Sequence, residues 1–215
     1  MVKACIFDMD GVIVDTAVYH FKAWRRLADE LSIDIDEHFN EQLKGLSRVD
    51  SLDVILAKGN LDLDNHTKLL LMEKKNNWYL EYIEDMTEKD ILPGITAFFQ
   101  ELKSAGIKTA LGSSSKNAVK ILQMIGMTDD FDAIIDGNQV TFSKPDPEVF
   151  LKGAEEIGVS PSEAVVFEDA QAGVQAAKAG KFKCIGVGEQ SMLSEADLVI
   201  PDMNFAKIEL FSKLS

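Results

Sequence analysis

Cysteine is scarce here, and the two residues present do not cluster. Cys5 and Cys184 sit in separate short apolar segments, and neither has a Cys or His close by in sequence. That spacing argues against a disulfide-stapled scaffold or a cysteine-built metal site, and it reads as two buried free thiols. Long hydrophobic runs are missing as well. Met1-Val2-Lys3 leads straight into Ala4-Cys5-Ile6-Phe7, which Asp8 and Asp10 interrupt at once, and no longer apolar run follows. Neither a signal peptide nor a membrane span is legible, so a soluble, cytoplasmic chain without a membrane partner is expected. Positive charge is in short supply: 22 Lys and Arg face 36 Asp and Glu, for a formal net charge of -14. Such a surface repels nucleic acid and anionic lipid. There are no internal repeats and no low-complexity stretch.

What is present is a hydrophobic share of 46% over 215 residues, enough for one sizeable core with a small accessory domain. Two textures alternate. From about Ile91 onward, helical stretches closed by glycine lead into short β-branched runs. Ile95 to Ala105 stops at Gly106 before Ile107 to Leu111, Glu148 to Ile157 stops at Gly158 before Ala164 to Phe167, and Gln171 to Ala179 stops at Gly180 before Lys183 to Val187. Strands alternating with capped helices predict an α/β fold, a parallel sheet covered on both faces, with Ala4 to Phe7 as its first strand and Leu198 to Ile200 a late one. Thr16 to Asp90 carries no convincing strand. Phe21, Trp24, Leu27, Ala28 and Leu31 form one amphipathic stripe, and Leu69, Met72, Tyr79, Leu80 and Ile83 another. The expected organisation is a core of residues 1–15 and 91–215 with a helical cap, 16–90, inserted after the first strand. Its linkers fall near Val14-Asp15-Thr16 and Lys89-Asp90-Ile91. Met203 to Ser215 reads as a closing helix.

The sharpest motif is Phe7-Asp8-Met9-Asp10-Gly11. Two carboxylates spaced by one residue follow a buried strand, where open parallel sheets place their ligands. A carboxylate can attack phosphorus, and a second one nearby can move the accompanying proton. Between two anions such chemistry needs a hard cation, and Mg²⁺ suits oxygen ligands. Three more polar groups follow predicted strands: Ser113 within Gly112 to Asn117, Lys144 within Ser143 to Pro147, and the pair Glu168-Asp169. A hydroxyl for phosphate, a point charge and two further oxygen ligands complete the set. In so acidic a chain the cap segment Asn40 to Ser51 also stands out, because Lys44 and Arg48 flank Gly45 and could clamp a second phosphate. His38 and His66 read as surface residues. Asp62-Leu63-Asp64-Asn65 with Glu73 has the acidity of a calcium loop, but the required glycine would fall at Thr67, so it reads as a helix cap.

In this order, with a helical insertion after the first, the motifs resemble the haloacid dehalogenase superfamily of phosphatases and phosphomutases, whose core is a Rossmann-like parallel sheet. The resemblance implies Asp8 as nucleophile, Asp10 as general acid/base, and Ser113 and Lys144 as phosphate ligands. It implies Mg²⁺ held by Asp8, the Asp10 backbone carbonyl, Glu168 and Asp169. The cap segment is similar to the sugar-phosphomutase branch through Asp15-Thr16, His20, Trp24, Leu43, Lys44, Gly45, Leu46, Arg48, Ser51, Lys75 and Asn76, with Ser115, Lys116 and Asn117 in the core. That implies interconversion of β-glucose 1-phosphate and glucose 6-phosphate, with glucose 1,6-bisphosphate as primer and intermediate. On the same implication His20 positions Asp10, and Arg48, Lys116 and Asn117 hold the non-reacting phosphate. A sugar-phosphate phosphatase on the same scaffold is the alternative. Nothing suggests an obligate interface, so a monomer acting on small sugar phosphates is expected.

Overall fold

The computed structural model describes residues 2–214. Six strands form one parallel sheet: β1 (Ala4–Phe7), β2 (Lys108–Gly112), β3 (Ala133–Ile135), β4 (Ala164–Glu168), β5 (Lys183–Val187) and β6 (Leu198–Ile200). Their spatial order is β3-β2-β1-β4-β5-β6, so the winding reverses between β1 and β4. A crevice opens at the carboxyl ends of strands at such a reversal. Both faces are covered, as near-continuous apolar strands require. Because side chains alternate along β1, Cys5 and Phe7 point into one core layer while Ala4 and Ile6 point into the other. On the first side Phe7 stacks on Phe167 at 5.0 Å and lies 4.8 Å from Phe99. On the second side Phe150 and Phe182 pack edge to face. Cys5 and Cys184 are free and buried.

Between β1 and the return of the chain to the sheet at Ile91 lie four α-helices: α1 (Ala17–Glu30), α2 (Glu37–Asn40), α3 (Arg48–Lys58) and α4 (Asn65–Tyr82). Trp24, Leu27 and Ala28 of α1 are buried with Met72 and Tyr79 of α4, the seam the helical spacing predicts. The two connections to the sheet run side by side. Val14 bridges Ile91, and the Leu92 N–H donates to the Ile13 carbonyl at 2.9 Å. The remaining α-helices flank the sheet: α5 (Ile95–Ser104), α6 (Ala118–Met124), α7 (Glu148–Glu156) and α8 (Gln171–Ala179).

Three details differ from what the sequence leads one to expect. Leu69 is 61% exposed and does not join the α4 stripe, which only begins at Met72. The C-terminal stretch is not one helix but two short 3₁₀ segments, Met203–Phe205 and Ile208–Lys213, with Ser215 outside the described residues. Gly180 does not supply the left-handed turn after α8. Its φ is -75°, and Lys181 takes the positive φ of 63°. Gly180 is small for another reason: a Cβ there would lie 2.8 Å from the Phe182 ring. Strand β3, three residues long, has no sequence signature because so short an apolar run has no period to show.

Candidate active site

The site starts where β1 ends. The Asp8 N–H donates to the Phe167 carbonyl at 2.9 Å, extending the ladder to β4 and fixing the carboxylate at the reversal point. The chain then turns sharply, with Gly11 at φ +74°. A side chain there is excluded twice over, because its Cβ would also sit 2.2 Å from Asp169 Oδ2. Glu168 is the last residue of β4 and fully buried. Its Oε1 accepts from the Ala170 N–H at 3.1 Å.

Lys144 lies beneath these carboxylates, its side chain entirely buried. Its Nζ donates to Asp8 Oδ1 at 2.5 Å and to Glu168 Oε2 at 2.8 Å. Burial alone would pull the ammonium down, but Asp8 and Glu168 outweigh it and hold the group above the ordinary lysine value. Burial pushes the Glu168 carboxyl up, reinforced by the Asp8 charge, and Asp169 is raised by burial and by both neighbours. Oxygens of Asp8, Glu168 and Asp169 lie within 4.8 Å of one another. When all three are ionised, three carboxylates against one ammonium leave two uncompensated negative charges, and every donor is a hard oxygen. The residues therefore fit a divalent cation such as Mg²⁺.

Asp10 stands apart from the ion pairs. Burial and the Asp8 charge raise its pKa from 3.8 to about 8, and Oδ1 is buried without a hydrogen-bond partner. At neutral pH it is a protonated acid facing the pocket, the state a proton donor needs.

The pocket is floored by the sheet edge and roofed by the helical insertion. Asp8, Asp10 and Asp169 meet His20, Trp24, Leu43, Lys44, Gly45, Leu46, Arg48, Ser51, Lys75, Ser115 and Lys116 around one space. Of the other anticipated residues, Ser113 is buried just below it, its Oγ accepting from the Ser115 N–H at 3.1 Å. Thr16 is buried at the start of α1. Asn76 and Asn117 stand behind Arg48: Asn76 Oδ1 accepts from Arg48 Nη2 at 2.6 Å and from Asn117 Nδ2 at 2.9 Å. Lys44 pairs with Glu41 at 2.9 Å and is only partly exposed. Lys44, Arg48, Lys75 and Lys116 line the pocket above Lys144, so cations converge in a chain that is strongly acidic overall.

His20 is held from the cap side. Its Nδ1 lies 2.7 Å from Lys75 Nζ, and its ring stacks on Tyr79 with centroids 4.0 Å apart. When Lys75 carries its proton it donates, and Nδ1 then accepts with the ring proton on Nε2. Burial, with Lys75 and Arg48 nearby, lowers the imidazole pKa and keeps the ring neutral. Lys75 itself is 2% exposed, lowered by burial and by Arg48, and lies 4.5 Å from the Trp24 ring centre. Ser114, Asn40 and Ala17 also line the pocket and have no distinguishing signal in sequence. Ser114 adds a bond from its Oγ to the Gly45 carbonyl at 2.9 Å, closing roof on floor. Asp64 caps α4 by accepting from the Thr67 N–H, and His38 and His66 are exposed.

Clustered carboxylates and a buried lysine at the reversal point of an open parallel sheet, roofed by helices and lined with cations, define an α/β protein of the phosphoryl-transfer class. Residues 2–181 match the haloacid dehalogenase-like hydrolases, and the chain belongs to that family. It is 43% identical to the β-phosphoglucomutase of Bacillus subtilis, over 97% of this chain and 93% of that one. A phosphorylated carbohydrates phosphatase of Thermotoga maritima is 34% identical over 86% of this chain and 85% of its own. The crystal structure of a β-phosphoglucomutase from Clostridium difficile superposes with a TM-score of 0.95 at 44% identity, covering 100% of this chain and 97% of that one. Among the described residues no helix is long and apolar enough to cross a membrane.

Proposed function

We propose that the chain is a β-phosphoglucomutase, interconverting β-D-glucose 1-phosphate and D-glucose 6-phosphate through an aspartyl phosphate on Asp8 and a glucose 1,6-bisphosphate intermediate. The carrying observation is one pocket with two anion-binding ends: Asp8 with Lys144 at the floor, Arg48 with Lys116 and Asn117 at the side. A bisphosphate needs both ends, and a phosphatase needs only the first.

Asp8 Oδ attacks the transferring phosphorus of the bisphosphate, the bond to the sugar oxygen breaks, and Asp10 gives that oxygen its proton. In the reverse half, Asp10 takes the proton of the attacking hydroxyl as Asp8 leaves. Lys144 neutralises the phosphoryl oxygens and Ser113 orients them. Mg²⁺, when bound by Asp8, Glu168, Asp169 and the Asp10 carbonyl, neutralises charge between nucleophile and phosphoryl group. Residues 16–90 act as the cap that reads the sugar. Thr16, His20, Trp24, Leu43, Leu46, Ser51, Lys75, Asn76 and Ser115 shape its space, and Lys44-Gly45 closes over it. The proposed working unit is a monomer acting on small sugar phosphates.

The test supplies purified protein with Mg²⁺, β-glucose 1-phosphate and a trace of glucose 1,6-bisphosphate, following glucose 6-phosphate and inorganic phosphate together. Fast glucose 6-phosphate with little phosphate is expected. Phosphate without glucose 6-phosphate would sink the mutase reading in favour of a sugar-phosphate phosphatase.

A further inference from the structure

A mutase must keep water from the aspartyl phosphate while the sugar turns, so what holds roof to floor matters to its chemistry. One such bond lies outside the pocket lining. Asp50 stands in the first turn of α3, two residues after Arg48 and one before Ser51. Its N–H donates to the N-capping Ser47 Oγ at 3.2 Å, and the Ser47 hydroxyl returns a bond to Asp50 Oδ2 at 2.5 Å. A helix cap would account for that much. The same Oδ2 also accepts from the hydroxyl of Ser143, on the loop between β3 and α7 and immediately before Lys144. One carboxylate oxygen thus joins the start of α3, which carries Arg48, to the loop whose next residue grips Asp8 and Glu168.

We infer that Asp50 and Ser143 form a latch that couples roof closure to the placement of Lys144, Asp50 being a positioning residue. With the latch made, Arg48 and Lys144 are brought to their two ends of the pocket by the same event, and water is kept out. With it broken, the roof opens more often. A water oxygen then bonds to the phosphorus as the Asp8–phosphorus link breaks, its proton passes to Asp10, and inorganic phosphate leaves.

The test rests on the mutase reading for one readout and is independent of it for the other. Asp50→Ala, Ser143→Ala, Ser143→Thr and the double alanine variant are compared with the parent. The first readout is phosphate released per glucose 6-phosphate formed. The second is amide hydrogen exchange of segments 44–51 and 141–147. Ser143→Ala leaves the α3 cap intact, yet it is expected to raise phosphate release about tenfold, as loss of one charge-assisted hydrogen bond from a two-state closure would. Asp50→Ala should do the same, the double variant no more than either single, and Ser143→Thr should restore the parent ratio. Both segments should exchange faster together in each alanine variant. If Asp50→Ala alone disturbs the protein while Ser143→Ala matches the parent in both readouts, Asp50 is only a helix cap and the latch is overturned; additive effects overturn it too. If no variant makes glucose 6-phosphate but exchange rises as described, the mutase reading fails and the latch stands.

Discussion

Asp10 shows how a single side chain acquires a role from its surroundings. Its pKa of about 8 arises from burial and the Asp8 charge, against an ordinary 3.8. A carboxyl whose folded pKa is raised contributes stability that is complete below 3.8 and is lost as pH rises through about 8. Metal-free protein should therefore lose stability across that window, Asp10 contributing up to about 1.4 kcal/mol per pH unit. Asp10→Asn should flatten the slope by that share, which thermal melts in chelator from pH 5 to about 8.5 can read; equal slopes would refute the assignment. Arg48 makes the contrasting case. Its guanidinium is partly buried and is held by the neutral Asn76 oxygen, with no carboxylate paired to it among the described residues, so it is available to an anion. Arg48→Ala is expected to lower kcat/KM for β-glucose 1-phosphate by about 10- to 100-fold, the loss of a charged hydrogen bond. Hydrolysis of acetyl phosphate, which has no distal end, should change by less than about twofold. Equal losses on both substrates would place Arg48 with the structural residues.

At the scale of elements, the tightest constraint is at the junction of β4 and α8. Glu168 ends the strand, and α8 begins three residues later with Gly173 in its first turn. A Cβ at Gly173 would lie 2.0 Å from the Glu168 carboxyl carbon, so this helix lies against the sheet edge only because the residue has no side chain. Gly173→Ala should displace Glu168 or α8 and destabilise the protein by about 1–3 kcal/mol, measurable by urea unfolding, although alanine is the better helix former. Activity should fall with it, as Lys144 loses one of its carboxylate partners. A variant as stable and as active as the parent would show that the junction has slack. The spacing of Gly173 in an otherwise regular helix gives no warning of this, because the constraint comes from a carboxylate five residues earlier that has folded back over it.

For the molecule as a whole, the dominant quantity is unbalanced negative charge, both overall and at the carboxylate cluster. A ligand that binds only the folded state stabilises it by mass action. Mg²⁺ at about 100 times its dissociation constant should add about 2.7 kcal/mol. For a chain of this length that is a rise of roughly 5–11 °C in melting temperature, reversed by chelation. Asp169→Asn should abolish the rise while leaving the metal-free protein as stable as the parent or more so, because it removes a like charge from beside Asp8 and Glu168. A parent protein whose melting point ignores Mg²⁺ would contradict the metal assignment.

Much of this architecture is legible in the amino-acid sequence. Short β-branched runs and glycine-closed helices mark five of the six strands, because local periodicity is imposed by burial on each element alone. The Asp8, Asp10, Lys144 and Glu168-Asp169 motifs are legible too, since chemistry of this kind demands particular functional groups just past strand ends. The sequence by itself therefore determined which groups the protein possesses and on which elements they ride. Pairing, exposure and protonation were decided only by the tertiary structure. Leu69 follows the helical period yet faces outward, His20 bonds Lys75, Asp10 becomes a neutral acid, and Asp50 meets Ser143 across the closed roof. Each of these depends on distances between residues remote in the chain and on how much water remains beside them, and neither quantity exists until the helices have folded down onto the sheet.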